Sequence, residues 1–225
     1  MKRTLLIVST LMLLFTACNQ DEDAYSLGDI WLSLGMLDTS KSLGYDFVVY
    51  CDNGDTLLPA SNAVPYFDFS EYERVLVNYT ILDEAGESDK KFYVRINNLH
   101  PVLFKDVIEL TPENTDSLGN DPVEITAQWI GGGFLNIEFR YFGTGSITHY
   151  INLAYERDTS GQINHPIELL MLHNDNNDSE RHVLKGLVSF RLDSLLNDES
   201  SELNYLIKAT DLNGEEQSFT GTYNY

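Results

Sequence analysis

Apolar and polar positions alternate with a period of two along most of the chain, which predicts half-buried β-strands rather than helices. Ile30, Leu32 and Leu34 open the series, followed by Tyr45 to Cys51 and Thr56 to Pro59. Val75, Val77, Tyr79 and Ile81 form a fourth alternating face, and Phe92, Val94 and Ile96 a fifth. Between the second and third runs stands Asp52-Asn53-Gly54-Asp55, whose Asn-Gly step predicts a hairpin because both residue types tolerate positive φ. A second series begins after the Pro- and Gly-punctuated stretch from Thr111 to Pro122. It runs through Ile125 to Trp129, Leu135 to Tyr141, His149 to Tyr155, Ile167 to His173, Lys185 to Leu192, Leu203 to Ala209 and Gln217 to Tyr223. Gly131-Gly132-Gly133 makes a tight connection, Gly143 to Ser146 turns the chain, and Asp193 to Leu196 reads as one helical turn.

Five short strands followed by seven predict an all-β chain of two domains. The first set suits a small OB-like barrel, and the second suits an immunoglobulin-like β-sandwich. The expected boundaries are an acidic tether at 18–26, the barrel at 27–105 and the sandwich at 106–225.

Only the N-terminus departs from this plan. Lys2 and Arg3 precede a nearly unbroken apolar run of 13 residues, Leu5 to Ala17. As a helix at ~1.5 Å per residue it would be roughly 20 Å long, short of the ~30 Å hydrocarbon core of a membrane. A basic start, a short apolar core and small residues ahead of Cys18 predict a cleaved export signal over 1–17. Phe15-Thr16-Ala17-Cys18 resembles the lipobox of bacterial lipoproteins, with Phe15 where Leu is usual. That resemblance implies lipidation of Cys18, which becomes the first mature residue and the membrane anchor. Stable anchoring takes more than one acyl chain, and bacterial lipoproteins usually carry three.

A hydrophobic fraction of 43% can supply two cores. The net charge of −21 argues against nucleic acid or anionic lipid headgroups as partners. Cys18 and Cys51 are the two cysteines. With Cys18 acylated, Cys51 has no disulfide partner, and its place on the face of Phe47 and Val49 predicts a small buried hydrophobe.

Little in the sequence spells out catalytic chemistry. The histidines are His100, His149, His165, His173 and His182, and none shows the spacing of a zinc motif. The Asn174-Asp175-Asn176-Asn177-Asp178 loop is oxygen-rich but lacks the Gly and terminal Glu of an EF-hand, so a hairpin tip is the better reading. No Gly-x-Ser-x-Gly elbow occurs, and Gly143-Thr144-Gly145-Ser146 lacks the Lys of a phosphate-binding loop. The residues therefore name no catalytic group, no metal site and no cofactor. Trp31, Trp129, Tyr141 and Tyr155 remain as candidates for stacking on a ligand such as a sugar ring, against the plainer role of core filling.

Four segments carry a wider resemblance: Tyr25-Ser26-Leu27-Gly28-Asp29-Ile30-Trp31 following Cys18, Asp116-Ser117-Leu118-Gly119-Asn120-Asp121-Pro122, Trp129 to Phe139, and Val188-Ser189-Phe190-Arg191-Leu192. Together they resemble the NigD-like family of bacterial lipoproteins. The resemblance implies an OB-like domain followed by a β-sandwich, and no catalytic residues. The family's name comes from a locus linked to the bacteriocin nigrescin. Asp21-Glu22-Asp23 after the lipidated Cys is similar to a surface-export signal of lipoproteins in one Gram-negative phylum. Asp55-Thr56-Leu57, Asp116-Ser117-Leu118 and Asp193-Ser194-Leu195 are similar to the O-glycosylation motif of the same bacteria, which makes Thr56, Ser117 and Ser194 candidate acceptors.

The expectation is thus a non-enzymatic cell-envelope lipoprotein, lipid-anchored at the outer membrane and facing the cell surface, with the periplasmic side as the alternative. It would act as a binding or structural module toward a protein or a glycan. The alternatives are a glycan-binding accessory lipoprotein and an accessory factor for a secreted peptide toxin.

Overall fold

The computed structural model describes residues 25–40, 43–64, 67–69, 73–86, 90–157, 166–196 and 200–225. The predicted signal peptide, Cys18, the acidic cluster Asp21-Glu22-Asp23 and His165 lie outside the described residues.

Strands β1 (Trp31–Asp38), β2 (Val48–Cys51), β3 (Thr56–Asn62), β4 (Arg74–Glu84) and β5 (Lys91–Pro101) close into a barrel in the order β1-β2-β3-β5-β4. β3 and β5 pair in parallel, and the other neighbours are antiparallel. The Asn-Gly hairpin joins β2 to β3, where Gly54 takes φ 89° and Asn53 instead holds Asp55 through its side chain. Val49, Leu57, Val75, Val77, Val94 and Ile96 fill the barrel with no solvent exposure. In β1 the inward residues are Ser33, which meets the Tyr79 hydroxyl at 3.4 Å, and Leu37. Leu32 and Leu34, on the alternating face of the first run, belong to the outer wall of the barrel.

The barrel passes into the sandwich without a loop. After Pro101, Val102 donates its N–H to the Arg74 carbonyl, and β6 (Leu103–Asp106) immediately pairs in parallel with β12 (His182–Arg191). β7 (Ile108–Glu109) then steps to the opposite sheet and pairs with β10 (Tyr150–Tyr155). The punctuated stretch 111–122 lies inside the sandwich domain and carries one short helix, α1 (Thr115–Leu118).

β8 (Glu124–Gly131) and β9 (Phe134–Gly143) complete a four-stranded sheet in the order β6-β12-β9-β8. β11 (Ile167–Asn174), β13 (Glu202–Thr210) and β14 (Glu216–Asn224) complete a five-stranded sheet in the order β14-β13-β11-β10-β7. Leu135, Ile137, Val188 and Phe190 from one sheet meet Leu153, Ile167, Leu169 and Ile207 from the other in a dry core. Gly132 and Gly133, with φ of 58° and 84°, form the two-residue turn between β8 and β9 that favours glycine at both positions. The expected helical turn appears as a 3₁₀ turn at Asp193–Leu195.

Candidate functional site

Two polar constructions stand out against these apolar cores. The first is at the junction of the domains. Arg74, at the start of β4, is fully buried and reaches across the junction. Its Nη1 and Nη2 donate to the two carboxylate oxygens of Asp52 at 2.7 and 2.6 Å, a bidentate pair supplied by the β2–β3 turn. Nη2 also donates to Asn136 Oδ1 at 3.0 Å, and Nε donates to Ser189 Oγ at 2.9 Å. Ser189 Oγ in turn donates to Asn136 Oδ1 at 2.7 Å. The guanidinium lies 4.0 Å over the ring centroid of Phe134. Asn136 and Ser189 are register partners in β9 and β12 and sit on the outer face of their sheet, the side opposite Leu135, Ile137, Val188 and Phe190. A face that alternation marks as solvated is here the seat of the barrel. A buried arginine is tolerable only when its donors are spent, and the planar fork matches a carboxylate as no lysine would.

Beside this lock lies an open groove of about 480 Å³. Leu32, Leu34 and Leu76 come from the outer wall of the barrel, and Trp129 and Ile130 come from β8. Asp52 and Asn53 form its polar edge. Gly131 and Gly132 let the β8–β9 turn press against the Asp52 side chain: a Cβ on Gly132 would stand 2.7 Å from Oδ1. Leu32 remains 63% exposed and Trp129 37% exposed, so the groove is apolar and open at once.

The second construction plugs one end of the sandwich. Tyr141, His149 and His173 continue the inward faces of their strands beyond the core, and their rings pack together. His149 Nδ1 lies 2.8 Å from His173 Nε2, and its Nε2 lies 3.1 Å from Asp178 Oδ2. His173 Nδ1 faces the Pro122 carbonyl at 3.0 Å. Asp178 accepts the Thr144 amide and hydroxyl and the Ser179 amide as well. Its carboxyl is therefore held well below the usual carboxylate range, chiefly by the Thr144 backbone N–H. The loop expected to be a hairpin tip does contain a turn at Asn176 and Asn177, with φ of 54° and 60°, but it folds Asp178 back onto the sandwich. Among the described residues no group of three or more His, Cys, Asp or Glu side chains is arranged to hold a metal ion.

The four candidate stacking aromatics do not share a surface. Trp129 lines the groove, Trp31 stands half-exposed at the mouth of the barrel, Tyr141 belongs to the histidine plug, and Tyr155 is buried in the sandwich core. A β-bulge between Ile125 and Ala127 turns Trp129 away from the face of Ile125. Of the candidate glycan acceptors, Ser117 on α1 and Ser194 on the 3₁₀ turn are exposed, whereas Thr56 is half-buried in the barrel wall. Leu57, Leu118 and Leu195, the third residues of those triplets, are all buried.

Cys51 is buried in the barrel core, and burial together with the Asp55 charge pushes its thiol up to about 12. A thiol in that state is neither a nucleophile nor easily oxidised. With Cys18 acylated or replaced by serine, Cys51 is expected to resist a thiol-reactive dye at about pH 8 for hours and to react fully within minutes in denaturant. Rapid labelling of the native protein would show the barrel to be open.

Comparisons with known proteins agree with this architecture. The model of the NigD-like N-terminal OB domain matches residues 37–102, and that of the NigD-like C-terminal beta sandwich domain matches residues 106–223. A crystal structure of a protein from Parabacteroides distasonis described as toxin-related is similar at 30% identity and a TM-score of 0.72, over 87% of this chain and 94% of the other. A protein of unknown function from Bacteroides vulgatus is similar at 27% identity and a TM-score of 0.70, over 88% and 92% of the two chains. A NigD-like immunity protein from Bacteroides caccae shares the fold at 19% identity and a TM-score of 0.64, over 89% and 99%. No curated protein matches. Among the described residues no helix is long and apolar enough to cross a membrane. With both family models matched and the predicted barrel and sandwich in place, the chain belongs to the NigD-like family.

Proposed function

We propose that this chain is a non-enzymatic binding module of the cell envelope, anchored at the outer membrane through Cys18, which takes a protein or peptide partner in the groove between barrel and sandwich. The observation that carries the reading is the groove itself. It is walled by Leu32, Leu76, Ile130 and Trp129, two of them substantially exposed, and its two sides are fixed relative to one another by the buried Arg74 lock. Apolar pockets on a rigid frame are where large side chains of a partner bind most productively. A glycan ligand is less well served, because one tryptophan stands where a stacking row is wanted. The non-enzymatic reading is supported by the histidine plug, whose polar atoms are spent on one another. The toxin-related description of a similar structure at 30% identity favours a toxin-like protein or peptide as the partner class.

The test is site-specific photo-crosslinking in growing cells of the source bacterium, with a photoreactive residue at position 32 or 129 and a control at Val183 on β12, whose exposure lies between theirs. The expected result is one defined adduct from positions 32 and 129, identified by mass spectrometry, absent from the control. A further arm, Cys18→Ser, should move the protein from the membrane to the soluble fraction. Equal labelling from all three positions, or none from the groove, overturns the binding site; an unchanged membrane fraction overturns the anchor.

A further inference from the structure

The hydrogen-bond chain at the end of the sandwich fixes its own proton count. The Pro122 carbonyl can only accept, so His173 Nδ1, 3.0 Å away, carries a proton, and Nε2 of the neutral ring is left as an acceptor. His149 Nδ1, at 2.8 Å, must then be the donor to it. On its other side His149 Nε2 meets Asp178 Oδ2, a carboxylate oxygen already accepting the Thr144 amide at 2.7 Å. The second oxygen accepts the Ser179 amide at 2.8 Å. A carboxylate so supplied stays ionised and only accepts, so His149 Nε2 donates as well. Two protons on His149 and one on His173 satisfy every bond in the chain.

These bonds join three separate pieces of backbone. Thr144 and His149 lie in the connection from β9 to β10, Asp178 in the connection from β11 to β12, and Pro122 just ahead of β8. We propose that the Asp178–His149–His173 chain is an acid-released latch, which holds these connections closed over the end of the sandwich while His173 is neutral and frees them when His173 gains a proton. A proton on His173 Nε2 would set two N–H groups and two positive charges face to face across 2.8 Å. The bond cannot survive that, and the ring must turn away from His149.

The groups facing His173 are Tyr141 from β9, His149 ahead of β10, and the carboxylates of Asp121 and Asp175. Burial and the neighbouring His149 charge lower the affinity of His173 for a proton, against the opposing pull of the Pro122 carbonyl, Asp121 and Asp175; the net direction is down from the ordinary value. The opened His173 ring binds a proton more readily than the closed one, so by linkage its contribution to closure is fully present above the ordinary histidine pKa of about 6.5 and is lost as pH falls below it toward the lowered value. Each unit separating the two values multiplies the opening equilibrium by about ten.

The test is amide hydrogen exchange of the full chain between about pH 7.5 and pH 5, corrected for the intrinsic chemical rate. The Thr144 and Ser179 amides, both bonded to Asp178, report the latch directly. Their protection is expected to fall about tenfold or more at the acid end while that of β9 core amides holds. In His173→Gln, which keeps an acceptor but cannot be charged, the loss of protection at the acid end should disappear. If that variant fails to fold, nitrogen-detected NMR of the wild-type His173 imidazole at about pH 7.5 decides instead: a proton on Nδ1 and a bare, hydrogen-bond-accepting Nε2 support the latch. Constant protection in the wild type, the same acid loss in His173→Gln, or any other proton pattern overturns it.

Discussion

Arg74→Ala is expected to cost about 3–5 kcal/mol, because it strands Asp52 in a largely dry interface and removes the donors that satisfy Asn136 and Ser189. Urea denaturation followed by tryptophan fluorescence would measure it, since Trp129 lies beside the lock. The midpoint should fall sharply, and the barrel and sandwich should begin to melt separately. Arg74→Lys should recover only a small part of the loss: an ammonium cannot bridge both Asp52 oxygens, reach Ser189 and lie flat over Phe134. A single unchanged transition in Arg74→Ala would mean that the domains are held by the surrounding apolar contacts alone. The double variant Arg74→Met with Asp52→Leu should be much less damaging than either half, since a buried pair is costly mainly when broken.

Gly119→Val should be nearly as severe, for a backbone reason. Gly119 ends α1 with φ 73° and ψ 176°, a region open almost only to glycine. Its absent side chain also makes room for β11: a Cβ would stand 2.5 Å from the His173 carbonyl oxygen and 2.8 Å from Asn174 Cα. Backbone strain of about 1–3 kcal/mol and overpacking of about 1–3 kcal/mol act together here. The expected outcome is a loss of roughly 2–6 kcal/mol in thermal or chemical unfolding, the sum of those two costs. A stability within about 1 kcal/mol of wild type, below the sum of the two costs, would show that the α1–β11 contact is soft.

The strands were legible because each half-buried run alternates, and the turns because Asn-Gly and the triple glycine demand special dihedrals. The latch was half-legible. His149 stands in phase with Ile151 and Leu153, and His173 with Leu169 and Met171, so a polar residue continuing an inward face was the available signal. Asp178 carried none, since it reaches His149 only through the shape of its loop. Trp129 was misleading for a different reason: the bulge at Ile125/Ala127 shifts the phase, and a one-residue slip moves every later side chain to the other face. Arg74 was silent. Its partners lie 22, 62 and 115 residues away, and an arginine at a strand start reads as solvated until those distances are closed by the fold.

The two family models leave a gap at residues 103–105, and the structure fills that gap with β6. The strand that walks out of the barrel is the strand that hems the edge of the sandwich sheet, and the next one hems the opposite sheet. The units that recur in sequence are therefore not units that can be lifted apart. A sandwich excised at its family boundary would lose most of its hem and present β12 as a raw edge, open to any passing strand. The boundary between the two family matches thus falls where the fabric of the protein is woven through.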